Sequence, residues 1–215
     1  MRKRPRGDLN MGVHRRIAFF TVIIGFILGC SYQKEIRLPA PGLPERVFVK
    51  SKPREYRKST VAVFRFKEPL FAPGVGQQAA EALYNELLRK DVFPTVQSEL
   101  DLPYSSMSQM MDLARAKEYD LVILGEVLYY YDGSDFAPSR VDERIRVVHL
   151  PTNETLWFAE ASDVAPPILP NDYILAINRG THAPPAALLF QRNAEKFCKL
   201  FWTPYAVRND VEAIR

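Results

Sequence analysis

Carboxylates, histidines and cysteines are the side chains of this 215-residue chain through which chemistry could be done. A hydrolase of peptidoglycan or polysaccharide needs two carboxylates in one cleft, one to protonate the leaving oxygen and one to act as base or nucleophile. Glu126 paired with Asp132 or with Glu143 is the combination left open for that role. A zinc site has no support, because no His-x-x-x-His or Cys-x-x-Cys spacing occurs. A serine hydrolase would show a Gly-x-Ser-x-Gly elbow, and none is present. Of the three histidines, His14 precedes an apolar run, His149 falls on a strand pattern and His182 in a Pro-rich loop. None of them sits in a recognisable catalytic spacing. Asp132-Gly133-Ser134-Asp135 lacks a full calcium ligand set and reads as a hairpin loop. Gly74-Val75-Gly76 lacks the ending of a phosphate-binding loop and the third glycine of a dinucleotide site, so it reads as a turn before a helix. Asn153-Glu154-Thr155 fits a glycosylation sequon and reads as a turn. The expectation is no catalytic residue, no metal ligand and no cofactor.

The two cysteines differ in setting. Cys198 lies in an apolar helical pattern with Phe197, Leu200 and Phe201, where a buried core thiol is expected. Cys30 closes the run Ile17–Leu28, which Arg15 and Arg16 precede. A basic segment, a short apolar segment and a small residue before the cut describe a secretory signal peptide. The ending Leu28-Gly29-Cys30 resembles the lipobox of bacterial lipoproteins. The resemblance implies cleavage after Gly29 and lipidation of Cys30, which would hold the mature chain to a membrane by acyl chains. Ser31 after the cysteine resembles the outer-membrane sorting preference. Met11 is the expected start, since Met11 to Arg16 already makes a compact basic segment. The rival is an uncleaved signal anchor in the inner membrane. A spanning helix needs about 20 apolar residues, and this run is shorter.

Charge follows from that division. The chain has 29 Lys/Arg and 25 Asp/Glu; six and one of them fall in residues 1–29, leaving 23 and 24, a net charge of −1. The basic balance therefore belongs to the leader, and no Lys/Arg face interleaved with aromatics remains for nucleic acid.

The elements come next. Residues 30–58 carry Pro39, Pro41, Pro44 and Pro53 and read as a tether, reaching about 30 Å as a random coil and at most about 90 Å if fully extended. A domain is expected over 59–203, with a polar tail at 204–215. Val61 to Phe64 is apolar on both faces, as in a strand covered on both sides. Gln77 to Lys90 is an amphipathic helix pattern, and Val92 to Val96 a short strand. A helix from about Ser105 to Lys117 turns Met107, Met110, Met111 and Ala114 inward. Leu121 to Tyr131, Val141 to Leu150 and Thr155 to Ala161 read as an antiparallel meander, and Ala186 to Trp202 as a closing helix. The order β-α-β-α-β-β-β-α predicts a single α/β domain with a mixed sheet and helices packed on it.

Two segments are candidate interfaces. Alternation over Tyr129-Tyr130-Tyr131 places Val127, Tyr129 and Tyr131 on one face and Leu128 and Tyr130 on the other, so at least one tyrosine lies near the surface. The Pro-rich stretch 162–185 reads as irregular yet carries Ile168, Leu169, Tyr173 and Ile174, which need burial against the domain or a neighbour.

Thr60-Val61-Ala62-Val63-Phe64 and Ala114 to Val127 (ARAKEYDLVILGEV) together resemble the small α/β domain of a group of envelope lipoproteins. The group holds the curli-secretion lipoprotein, the Pel polysaccharide-secretion lipoprotein, the lipoprotein activator of penicillin-binding proteins and the amino-terminal domain of TolB. The resemblance covers about residues 59–161. It implies a non-enzymatic periplasmic accessory that docks to protein partners or forms a homo-oligomeric ring, at the outer membrane and without nucleic acid.

Overall fold

The computed structural model describes residues 36–51, 56, 58–173, 176–178 and 180–202. Its elements run β1 (Arg46–Lys50), β2 (Thr60–Phe64), α1 (Val75–Arg89), β3 (Thr95–Glu99), α2 (Met107–Ala116), β4 (Leu121–Tyr131), β5 (Ser139–His149), β6 (Glu154–Ala165), β7 (Asn171–Tyr173), β8 (Ala176–Asn178) and α3 (Ala186–Trp202). The expected signal peptide with Met11, Gly29 and Cys30, the tail 204–215 and Ile174 lie outside the described residues. The described residues from Leu38 onward form one compact unit.

Apolar residues on both faces of β2 and of the first half of β4 require cover on both sides, and they have it. The sheet order is β1-β6-β5-β4-β2-β3. β2 pairs in parallel with β3 and with β4, and the remaining neighbours are antiparallel. The fold is thus the expected mixed-sheet α/β domain. On one face α1 and α3 bury Leu83, Leu87, Phe190 and Phe197 over Val61, Ile123, Ile145 and Trp157. On the other face α2 buries Met110 and Ala114 over Ala62, Phe64, Val122 and Leu124, with Met107, Met111 and Leu113 packed partly buried beside them. Ser106 caps this short helix by accepting the Gln109 N–H at 3.3 Å. One helix of ten residues cannot roof six strands, so among the described residues no helix covers the second face of β5, β6 and β1, called the open face below.

β5 is written for that arrangement. Val141, Ile145 and Val147 are buried beneath α3, while Arg140, Asp142, Arg144 and Arg146 alternate outward.

The joint between β2, β4 and α1 is tight. Phe66, just past β2, is fully buried with its ring against Gly125, where an added Cβ would lie 2.5 Å from three ring carbons. The Lys67 N–H then donates to Gly125 O (2.9 Å) and the Val127 N–H to Lys67 O (2.8 Å), resuming the parallel ladder. The Phe66 N–H reaches Gly76 O at 3.2 Å, an approach for which Gly76 must lack a side chain. Glu68 Oε2 accepts the N–H groups of Gly74 (2.9 Å) and Gly76 (3.0 Å). The anion-binding start of α1 is therefore filled by the chain's own carboxylate.

Two segments read as irregular contain structure. Arg46–Lys50, inside the expected tether, pairs with β6 as an edge strand, with a bulge between Val47 and Val49. Leu38 packs against the core as well. Most of β1 is exposed and its ends are flanked by prolines, so no burial pattern marks it in the sequence. Within 162–185, β6 continues to Ala165, and β7 and β8 form an antiparallel hairpin. Its stem is closed by paired backbone bonds between Ile168 and Thr181 (3.1 and 2.8 Å).

Gly125→Ala is expected to destabilise the domain by about 1–3 kcal/mol, because its methyl group must displace the Phe66 ring. Chemical denaturation reads this directly. Adding Phe66→Leu should recover part of the loss in a double-mutant cycle, and strict additivity would show that the ring contact is not the cause.

Candidate functional site

The three carboxylates open to acid–base work are held apart. Glu126 accepts a hydrogen bond from Lys67 Nζ (2.8 Å) and faces Arg144 Nη1 at 3.9 Å on the open side of the sheet. The hydrogen bond to Glu126, then its charge, raises the Lys67 ammonium above its ordinary pKa. Asp132 Oδ1 accepts the Ala186 N–H at 2.8 Å and so caps α3. Glu143 points to the opposite, helix-covered face, where its Oε2 accepts from Asn193 Nδ2 at 2.8 Å. The cleft of paired carboxylates considered from sequence is therefore not assembled by Glu126, Asp132 and Glu143.

Glu143 is fully buried, and loss of hydration pushes its carboxyl up to about 8 against the opposing pull of the Asn193 hydrogen bond and the Lys196 charge. Lys196 Nζ donates to Glu45 Oε1 (2.6 Å) and to Ser162 O, and Asp163 Oδ2 lies 3.9 Å away. Asp163 is in turn paired with Arg192 Nε at 2.5 Å. This cluster stitches α3 to β5, β6 and the chain before β1.

The other reactive groups have local roles. His149 Nδ1 lies 2.8 Å from Thr152 Oγ1 at the β5–β6 turn, and His182 lies 3.1 Å from Asp135 in exposed loops. Asn153 has φ 61° and occupies the left-handed turn position. Burial pushes the Cys198 thiol well above its ordinary pKa, as fits a core residue. Among the described residues no group of three His, Cys, Asp or Glu could hold a metal ion. No helix among them is long and apolar enough to cross a membrane.

What the fold does assemble is a charged and aromatic surface on the open face. Two N–H groups of Arg144 converge on Glu160 Oε1 (2.7 and 2.5 Å), and Arg46 reaches Glu160 Oε2 at 3.4 Å. Arg140 grips Asp142 with both oxygens (3.1 and 2.7 Å), and Ser162 Oγ donates to Asp142 at 2.5 Å. Phe158 lies beneath Arg146 (4.6 Å to the ring centre) and beside Phe48 (4.8 Å between ring centres). Arginine and aromatic residues exposed together are the composition of protein contact surfaces. The alternation Arg140, Asp142, Arg144, Arg146 was visible in the sequence. Phe48, Phe158 and Glu160 join it only through strand pairing.

The tyrosine run lands on both sides, but not in the expected phase. A bulge between Val127 and Tyr129 shifts the register, so that Tyr129 pairs with Asp142 and Tyr130 with Val141. Tyr129 and Tyr131 are 43% and 44% exposed, and Arg140 lies over the Tyr129 ring at 5.2 Å. Tyr130 turns with Val127 to the covered face and stacks on Phe190, 6.0 Å between ring centres. Of the other candidates, Leu169 is exposed, Ile168 is half-buried at the hairpin stem, and Tyr173 ends β7. Leu70 and Phe71, in the loop leading to α1, are among the most exposed large apolar residues, and no local periodicity marks them as such.

No protein-family model and no curated protein matches the chain. Solved structures do. The PelC dodecamer from Paraburkholderia phytofirmans is 18% identical with a TM-score of 0.51, covering 72% of this chain and 96% of that one. The lipoprotein GNA1162 from Neisseria meningitidis is 15% identical, covering 50% and 83% of the two chains, TM-score 0.40. The LpoB C-terminal domain from Escherichia coli is 14% identical, covering 50% and 84%, TM-score 0.37. The likeness to the PelC dodecamer is one of fold.

Burial of Glu143 sets a pH dependence. Its folded pKa is raised above the unfolded value, so its contribution to stability is complete below about pH 4.5. That contribution is lost as pH rises through about 8. Glu143→Gln should therefore melt higher than the wild type by a margin that grows across that window. Melting curves at pH 5 and pH 8 with an unchanged margin would contradict the buried, protonated state.

Proposed function

We propose that this chain is a lipoprotein attached to the outer membrane through acyl chains on Cys30, with its α/β domain in the periplasm. Residues 1–29 serve as its signal peptide, and the chain between Cys30 and the domain as its tether. The domain works as a non-catalytic accessory in envelope assembly or export, by docking to protein partners and by associating with further copies of itself. The observation that carries this reading is the ending Leu28-Gly29-Cys30 after a short apolar run. The likeness in fold to a chain that forms a dodecamer supports the oligomeric part. The open face, with its paired arginines and exposed aromatics, is the surface we assign to docking. Two or more acyl chains, at about 0.8 kcal/mol per buried CH₂, would make the attachment effectively permanent.

Cys30→Ala should move the protein from the membrane to the soluble periplasmic fraction or leave it as an unprocessed precursor. A Cys30→Ala protein still in the membrane with wild-type processing would remove the lipid anchor. Light scattering of the detergent-solubilised protein should give a mass of several subunits, and a clean monomer would remove the ring.

A further inference from the structure

We infer that the open face holds a binding site for the carboxylate of an acidic peptide segment, centred on Arg146. The inference rests on the docking reading above and gives the partner a chemistry.

Every other cation at the centre of this face has its acid. Lys67 is paired with Glu126, Arg46 and Arg144 with Glu160, and Arg140 with Asp142. Arg146 differs. It is half-buried, its guanidinium lies 4.6 Å above the Phe158 ring, and its Nη1 is 4.0 Å from Met107 Sδ. No carboxylate among the described residues lies within 4.0 Å of it. A thioether is a weak acceptor, so most of the five guanidinium N–H donors are left to whatever enters from solvent. A carboxylate matches the planar fork of such a half-buried guanidinium with two parallel hydrogen bonds.

The surroundings define the occupant. Arg146 opens onto a recess of about 180 Å³ lined by Tyr104, Met107, Leu124, Glu126, Arg144 and Phe158, in which the one carboxylate, Glu126, is already held by Lys67 and faces Arg144. This volume admits a side chain. Its Met107 and Leu124 walls suit the methylenes of Glu or Asp. Around it, among the described residues, the four cations Arg46, Lys67, Arg144 and Arg146 are matched by the two acids Glu126 and Glu160, so the centre of the face is positive and complementary to an acidic segment. An acidic sugar polymer is the less favoured ligand. The Phe158 ring, which could stack on a sugar, is already taken up by Arg146, Arg144 and Phe48.

The test is fluorescence anisotropy of a labelled acetyl-Leu-Glu-Leu-Glu-amide peptide with the full chain in detergent micelles. Acetyl-Leu-Gln-Leu-Gln-amide is the neutral control, and trigalacturonate and inorganic phosphate are the competing anions. Saturable binding of the acidic peptide alone is expected. Arg146→Gln should weaken it about tenfold or more, the loss of a charge-assisted hydrogen-bonded pair. Arg115→Gln, on α2 and paired with Asp112, should leave it unchanged. Should Arg146→Gln lose its melting transition, Arg146→Lys replaces it; it keeps the charge without the fork and should weaken binding several-fold. Equal binding of the Gln peptide, binding unaffected by either Arg146 variant, no binding at millimolar peptide, or displacement by trigalacturonate or phosphate at lower concentration than the peptide each overturns the proposal. Membrane release of Cys30→Ala and the oligomer mass are read separately, so failure here is distinguishable from failure of the anchoring and assembly reading.

Discussion

The fit of the Phe66 ring against Gly125 is the contact on which the arrangement of the domain depends. It forces β2 to break its regular pairing after Phe64 and to resume it at Lys67, beside Glu126. That break turns the chain toward Gly74 and Gly76, where Glu68 accepts two backbone N–H groups and fixes the start of α1. The register of β4 against β2, the entry of the first helix and the position of the Lys67–Glu126 pair are thereby coupled. A close-packed interior transmits such a constraint, because it has little free volume in which to absorb a displaced ring.

The two faces of the sheet then have different physics. The face under α1 and α3 is an apolar core; among the polar groups admitted to it, Asn193 donates to Glu143, and Lys196 reaches out to Glu45. Burial makes the Glu143 charge unfavourable, and its raised pKa is the response. The face beyond α2 stays in contact with water. Its charges are paired in a ladder across β1, β6, β5 and β4, where each exposed pair contributes little to stability. Such a ladder sets orientation and specificity toward a partner more than it holds the fold together.

Much of this was legible from residues alone. The apolar run of β2 implied cover on both faces, the alternation in β5 implied one wet face, and the stripe in Ala186–Trp202 implied a packed helix, all as found. Alternation failed at Tyr129-Tyr130-Tyr131, because a single bulged residue inverts every side chain beyond it. β1 left no signature because an edge strand with one bonded neighbour and exposed side chains needs no burial pattern. The carboxylates Glu126 and Glu143 looked usable together in sequence. They are separated by an odd step of the pleat, which sends them to opposite sides of the sheet.

The order of elements, the mixed α/β class and the division into a covered and an open face are properties of the sequence by itself, since they follow from local periodicity and side-chain polarity. The lipobox-like ending Leu28-Gly29-Cys30 is likewise a property of the sequence alone. Tertiary structure decided the rest: which cations find acids, which aromatic rings are used up, and that Arg146 is left with Phe158 and Met107 for company. Those outcomes depend on strand order and register between β1, β4, β5 and β6. Residues far apart in the chain meet there, and no local pattern encodes their meeting.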